Sequence, residues 1–475
     1  MHTLNHARGL RTLLVALLIV SLLLLSFFFK NSILIVAAVI LYIGVRSLWE
    51  VDSTKIFTFI FCYQWLQASA LAIQAEFHGV NIDDFAQLGG SVSLATWYTL
   101  GAISILAFGI KIGLKGVRNN AIVQKRNFEL QAIKIKYWFF LYVFATVISV
   151  STSYLSQYLG GLKIILLALA NLKWGFFWLL AYMTFSGSGK PKSFLYFSII
   201  VELASSFGAF FADFKTVLIV AGIGILSAGI RLTIPKALKI VVIMLLVVSF
   251  GVIWTSIKVE YRGYLRDTSI GGVTTRSDQG QYLVDKIFDL NNDDLLNGWK
   301  KMVERIGYVE FFGRVLDYVP KYYPHESGAL WLDAFLRPLM PRLFFPDKSS
   351  IDDSVRTARY VDYGANEIDA DTSISIGYIG ESYIDFGFPL MYLPIFAWGY
   401  FAARIYRYFS YSSRVAGPVG QAVAIALLLP FAILESSITK VVGGVFAGLI
   451  VAWLFSRFVL PRFQAHLIRL SRSNQ

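Results

Sequence analysis

Charge is scarce in this chain, and cysteine is almost absent. Only 15% of its 475 residues are Asp, Glu, Lys or Arg, against about 25% in an ordinary soluble domain. The shortage is concentrated. Residues 12–29 hold no charged side chain, and 238–257 hold a single lysine, Lys239. Such runs argue against a soluble globular fold. A helix crossing a bilayer needs roughly 20 apolar residues, and lipid leaves only helices or closed barrels to satisfy the backbone. The runs are continuous rather than alternating, so they read as helices. The one cysteine, Cys62, falls inside an expected span and excludes a disulfide framework. The first apolar run has no small-residue cleavage site and reads as a retained helix. Internal repeats and low-complexity tracts are absent.

What is present is hydrophobic residues, at 56%, and an excess of basic over acidic ones that gives +13. That excess does not indicate a nucleic-acid partner, because its distribution has a simpler explanation. Spans are expected near 12–29, 32–49, 54–75, 91–112, 136–155, 173–187, 193–212, 214–230, 238–257, 384–404, 416–436 and 440–459. If the N-terminus is cytoplasmic, more than half of the 43 Lys and Arg fall on that side. Seven of them crowd into 111–136, whereas the loop 76–90 carries Glu76, Asp83 and Asp84 and no basic residue. Orientation follows this bias. The expected fold is an all-α polytopic membrane protein of about twelve helices. Both termini are then cytoplasmic. A nine-span bundle at 1–257 and a three-span bundle at 376–475 flank one large, partly helical periplasmic loop at 258–375.

That long segment holds 15 basic and 19 acidic residues, and a connection of this length is usually functional. Asp293 to Val319 reads as one amphipathic helix, with Leu295, Trp299, Met302, Ile306, Val309, Phe312, Leu316 and Val319 at steps of three and four. Asn291 to Asp294 provide its capping start, and Pro320 ends it. Prolines 338, 341 and 346 forbid a regular helix over 324–350 and fix a bent path that presents Arg337, Arg342 and Lys348. Within the spans, Gln64, Gln67 and Gln74 share one face and read as helix-to-helix glue. Glu202 reads the same way. Asp213 and Lys215 fit a tight turn at the membrane surface, and Glu435 lies near the outer end of its span.

Residues 337–349, RPLMPRLFFPDKS, precede 372–388, TSISIGYIGESYIDFGF, and EYRGYL at 260–265 opens the long segment. This arrangement resembles the O-antigen polymerase (Wzy-type) family of oligosaccharide repeat-unit polymerases. The resemblance implies a GT-C-type glycosyltransferase of the bacterial inner membrane. It would join polyprenyl-diphosphate-linked repeat units on the periplasmic face, with the lipid bilayer and a chain-length regulator as partners. Negative charge would build on the departing lipid diphosphate, and fixed cations stabilise such a change. Arginine suits the task because its planar fork matches phosphate oxygens. Arg262, Arg305, Arg342 and Lys348 are the expected clamp. No external carboxylate cluster has convincing ligand spacing. Asp352/Asp353 and Asp369/Asp371 come nearest, so metal-independent chemistry without a cofactor is expected. Glu381 and His325 are the candidates for a base that takes the acceptor proton. A hydrogen bond to a neighbouring helix end is the other reading of Glu381. An O-antigen ligase shares this layout and is an alternative enzyme. A lipid-oligosaccharide flippase is the non-enzymatic alternative, disfavoured by the large asymmetric loop.

The charge asymmetry makes a direct prediction. A topology reporter fused at Asn292 is expected to be active only outside the cytoplasm. Cytoplasmic activity there reverses the orientation and removes the long segment from the outer face.

Overall fold

A computed structural model describes residues 29–116, 121–187, 189–206, 214–229, 234–271, 276–340, 344, 345, 347, 348, 352–361 and 374–473. Among them the secondary structure is all helical. In chain order the helices are α1 Ile33–Trp49, α2 Ile56–Phe77, the single turn α3 Ile82–Phe85, α4 Val92–Leu114, α5 Ala121–Gln131, α6 Ile135–Tyr158, α7 Lys163–Phe185, α8 Ser193–Ser206, α9 Phe214–Ser227 and α10 Ile234–Gly271. Then come α11 Arg276–Phe288, α12 Asn292–Ile306, α13 Val309–Tyr318, α14 Ala329–Leu336, α15 Asp353–Val361, α16 Gly377–Phe386, α17 Tyr392–Arg407, α18 Pro418–Leu428, α19 Ile438–Leu454 and α20 Leu460–Ser473.

Five stretches are long and apolar enough to cross a membrane: α2, α4, α6, the run Gly160–Phe185 containing α7, and the continuous run Ile438–Arg469 containing α19. The helices α1, α8, α9 and α18 are apolar but shorter. The expected first span, 12–29, lies outside the described residues except for its last residue, Phe29. Two expected spans shift. The one drawn at 173–187 is the C-terminal part of a helix that begins at Lys163. At 384–404 the helix is α17, which starts at Tyr392 after Gly387 ends α16 with φ +64°, and it is not among the helices long and apolar enough to cross a membrane. Any side chain at Gly387 would also press into the His325 ring. Helix α10 runs through to Gly271 and so crosses the expected loop start at 258.

The long segment departs from expectation in two places. The amphipathic run 293–319 is two helices, α12 and α13, separated at Gly307 and Tyr308, where glycine's extra backbone freedom weakens the helix. Its start is as expected: Asn291 Oδ1 accepts from the Asp294 N–H at 2.9 Å, and Asp294 Oδ2 accepts from the Asn291 N–H at 3.1 Å. This reciprocal pair satisfies two donors that a helix N-terminus leaves unbonded. Within 324–350, the residues before the first proline do form a regular helix, α14, followed by a 3₁₀ turn at Arg337–Leu339.

Helix α7 packs against α6, α9, α18 and α19, while α17 packs along α4. The α4–α17 contact is close because glycine lines it. A methyl group at Gly109 would strike the Phe396 carbonyl, and one at Gly113 would meet the Tyr400 carbonyl and Ala403. Small residues four apart let helix backbones approach in lipid, where van der Waals contact rather than water exclusion holds helices together.

Gly109→Leu should therefore cost about 1–3 kcal/mol through overpacking and visibly lower the amount of protein in the membrane. Gly444→Ala, where nothing lies within 4 Å of the added carbon, should not. Equal levels for both variants in quantitative blots contradict the close α4–α17 contact.

Candidate functional site

Helix α16 carries GYIGESYIDF, and residues 377 to 385 are all buried. Glu381, Ser382 and Asp385, on one buried turn-and-a-half of helix, need partners, since an unbonded polar group in an apolar interior costs a few kcal/mol. Each has them. Asp385 accepts the backbone N–H groups of Leu330 and Trp331 at 3.0 and 2.9 Å, capping α14 from a distance. Ser382 Oγ accepts from Trp331 Nε1 at 3.1 Å. Glu381, 1% exposed, accepts from Arg356 Nη1 at 3.1 Å through one oxygen and from the Ile438 N–H at 2.6 Å through the other. Ile438 is the first residue of α19, so Glu381 also sits where the helix dipole favours negative charge.

Arg356 projects from α15, an amphipathic helix whose Asp353, Thr357, Tyr360 and Val361 are buried. Besides Glu381, the Arg356 guanidinium reaches Thr439 Oγ1 at 3.1 Å and Asp333 at 3.7 Å. Asp333 in turn holds Arg337 at 2.7 Å. One helical position on, Lys440 meets the buried Asp353 at 2.7 Å. The result is a chain of alternating charge, Arg337–Asp333–Arg356–Glu381, beside a second pair, Asp353–Lys440. All of it gathers where the long segment meets the start of α19. The Arg356 side chain is 17% exposed and the Lys440 side chain 48%, so the pair presents cationic groups at the rim of an otherwise buried junction.

Burial pushes the Glu381 carboxyl up to about 7, against the opposing pull of Arg356 and the Ile438 N–H. The Arg356 guanidinium resists the same desolvation because Glu381 stands beside it, and its affinity for its proton rises.

Of the residues expected to form a site, the structure brings Glu381 into this cluster and bonds it to a helix end, the second of its two readings. His325 sits at the far end of α16, with Nδ1 3.2 Å from the Ile384 carbonyl and its ring edge-on to Tyr383. Lys348 donates to the carbonyls of Arg337 and Met340 and so caps the turn after α14. Arg342 lies outside the described residues, as do Asp369 and Asp371. Arg262 and Arg305 lie on α10 and α12, with their side chains outside the described part of the structure. Among the described residues no three His, Cys, Asp or Glu side chains converge as a metal site would require. The sequence reading missed Arg356, Asp333, Lys440 and Thr439. The available signal was the register of α15, where Asp353, Thr357 and Tyr360 mark an inward face at steps of four and three with Arg356 beside it.

The expected polar glue is found at Gln64 and Gln67, whereas the Gln74 amide oxygen is buried without a hydrogen-bond partner. Gln64 donates to the Phe431 carbonyl at 3.0 Å and accepts from the Tyr378 hydroxyl at 2.9 Å. Gln67 accepts from the Leu434 N–H at 2.9 Å and reaches Glu435 at 3.5 Å. These bonds satisfy the irregular backbone between α18 and α19. Elsewhere, Glu202 binds Lys173 at 3.1 Å and the Tyr142 hydroxyl, joining α6, α7 and α8. Asp213 lies outside the described residues.

The architecture defines an all-α protein with several membrane-length apolar helices and a charged junction at one end of the bundle. Residues 95–409 match the family model described as Domain of unknown function (DUF8712), and the chain belongs to that family. No curated protein and no solved structure matches it.

A buried carboxyl with a raised affinity for its proton leaves a signature in stability. Folded Glu381 holds its proton to about pH 7, whereas the unfolded side chain releases it near 4.5. The folded state therefore binds more protons in that window. The contribution of this group to stability is complete below about 4.5, falls as pH rises through about 7, and levels off above. Thermal unfolding of the purified protein from pH 4.5 to 8 should show this loss, and Glu381→Gln should flatten it. Arg356→Ala strands the carboxylate and should cost roughly 3–5 kcal/mol at pH 8, with Glu381→Gln recovering much of that. An unchanged pH profile in Glu381→Gln contradicts the assignment.

Proposed function

We propose that this protein is a bacterial polysaccharide polymerase. In this reading it spans the inner membrane about twelve times and joins polyprenyl-diphosphate-linked repeat units on the periplasmic face. The observation that carries the reading is the Arg356–Glu381 junction. It ties the GYIGESY segment that resembles the repeat-unit polymerases to cations of the long segment and to the start of α19. The apolar helices support a membrane setting for a lipid-linked donor.

The chemistry follows from the charges. An acceptor hydroxyl oxygen forms a bond to C1 of the reducing-end sugar as the C1–O bond to the lipid diphosphate breaks, and the hydroxyl proton is released to water. The electron pair leaves with the diphosphate, whose negative charge grows. Arg356 and Lys440, at the rim of the junction, are the groups assigned to meet it, with Arg337 behind them. Glu381 and Asp353 act as positioning residues that hold Arg356 and Lys440 in place. Arg356 and Lys440 join the expected clamp because they stand next to Glu381. Arg356 provides the bidentate fork and Lys440 a point charge.

Deletion in the native host should leave surface glycan carrying single repeat units, and the full chain should restore the long-chain ladder on a gel. Lys440→Gln removes one fixed cation, for which a loss of about 3 kcal/mol of transition-state stabilisation, roughly a hundredfold in rate, is typical. Arg356→Lys keeps charge but loses the fork and should polymerise only weakly at normal membrane levels. Absent caps with long lipid-linked polymer would point to a ligase instead. Single lipid-linked units held on the cytoplasmic leaflet would point to a flippase.

A further inference from the structure

Helix α14 is apolar on both sides. Leu330, Trp331 and Ala334 are buried against the bundle, and α14 with its following turn packs along α19. The opposite face consists of Leu332, Phe335, Leu336 and Leu339, at steps of three, one and three, with Met340 next. All five are exposed, Leu332 and Leu339 by 59% and 60%. A helix apolar on two opposite faces, interrupted only by the paired Asp333, has little surface suited to water, and water is a poor solvent for a contiguous patch of this kind. Three polar features frame the patch. Asp333 is held by Arg337 and Arg356. Lys348 folds back onto the carbonyls of Arg337 and Met340. The N-terminus of α14 is tied down by Asp385, so the face is rigidly presented.

We propose that α14 and its following turn form an interfacial element, laid in the plane of the membrane with Leu332, Phe335, Leu336, Leu339 and Met340 in the acyl region of the adjacent leaflet. The occupant of the face is the phospholipid bilayer. Continuity supports this choice. Helix α19, on which α14 lies, belongs to an apolar run of spanning length, and its own Phe446 and Ile450 are exposed. Charge complementarity supports it too. Arg337 and Lys348 stand at the edge of the apolar face, where the anionic phosphates of the headgroups would lie, the usual arrangement of an in-plane helix. The element would set the depth of the charged junction. Asp333, in the middle of α14, is bonded directly to Arg356, so burying the outer face at the acyl boundary places Arg356 and Lys440 near phosphate level.

Leu339→Cys and Phe335→Cys, each made with Cys62→Ser and labelled with an environment-sensitive fluorophore, are placed in vesicles of phosphatidylethanolamine and phosphatidylglycerol. Tyr322→Cys, exposed in a polar stretch beside Lys321 and Glu326, serves as the reference. The labels at 335 and 339 should be quenched by brominated phospholipid several-fold more than the label at 322, and by aqueous iodide several-fold less. Iodide quenching at 335 and 339 equal to that at 322 shows a water-facing surface and overturns the proposal. Protection from both quenchers shows a protein surface, a second copy or another chain, covering the face and equally overturns it.

Discussion

One buried carboxylate organises this end of the molecule. Glu381 lies on a ten-residue helix whose first nine residues are buried, and an ion there is tolerable only if both oxygens are bonded. Arg356 and the Ile438 N–H meet that demand. To do so, α15 must dock against α16, and α19 must begin within hydrogen-bond reach. Asp333 follows because Arg356 is multiply bonded, and α14 follows because Asp333 and the donors capped by Asp385 belong to it. The junction is a set of linked satisfactions in which each charge brings its neighbour into register.

The same requirement operates one layer deeper. The chain between α18 and α19 tightens into a 3₁₀ helix at Leu429–Ala432 and is extended at Ile433. Irregular backbone inside an apolar bundle must find partners within the protein. Gln64 and Gln67 supply them from α2, binding Phe431 and Leu434, while Tyr378 links Gln64 back to α16. A face of glutamines on a membrane-length helix thus maintains a break in the neighbouring hairpin, and that break lets the N-terminus of α19 open towards Glu381. Charge handling at Glu381 and amide bonding at Gln64 are linked through α16, which carries both Glu381 and Tyr378.

Membrane-length helices were legible because lipid imposes a length and an apolarity that any stretch of chain must display openly. The glutamine face of α2 was legible because helical periodicity alone puts residues 64, 67 and 74 together. The start of α12 was legible because capping is a contact within four residues. Glu381 stood out because a carboxylate in an apolar, glycine-punctuated stretch is costly wherever it ends up.

The partners of Glu381 were a different matter. Arg356 lies 25 positions earlier and Ile438 57 positions later, and nothing in composition or spacing distinguishes Arg356 from the other cations of a mixed-charge segment. Long-range ion pairs depend on which helices pack together, and that was decided by surfaces such as the glycine-lined α4–α17 contact and the Asp385 cap on α14. Local breaks were equally elusive, because a hydrophobic period can continue through Gly307 while the backbone does not. The sequence by itself determined the helical, membrane-length character of the chain and the presence of a costly buried carboxylate, since both are properties of short stretches in a fixed solvent. Only the tertiary structure decided which cations meet that carboxylate, because the choice rests on packing between residues far apart in the chain.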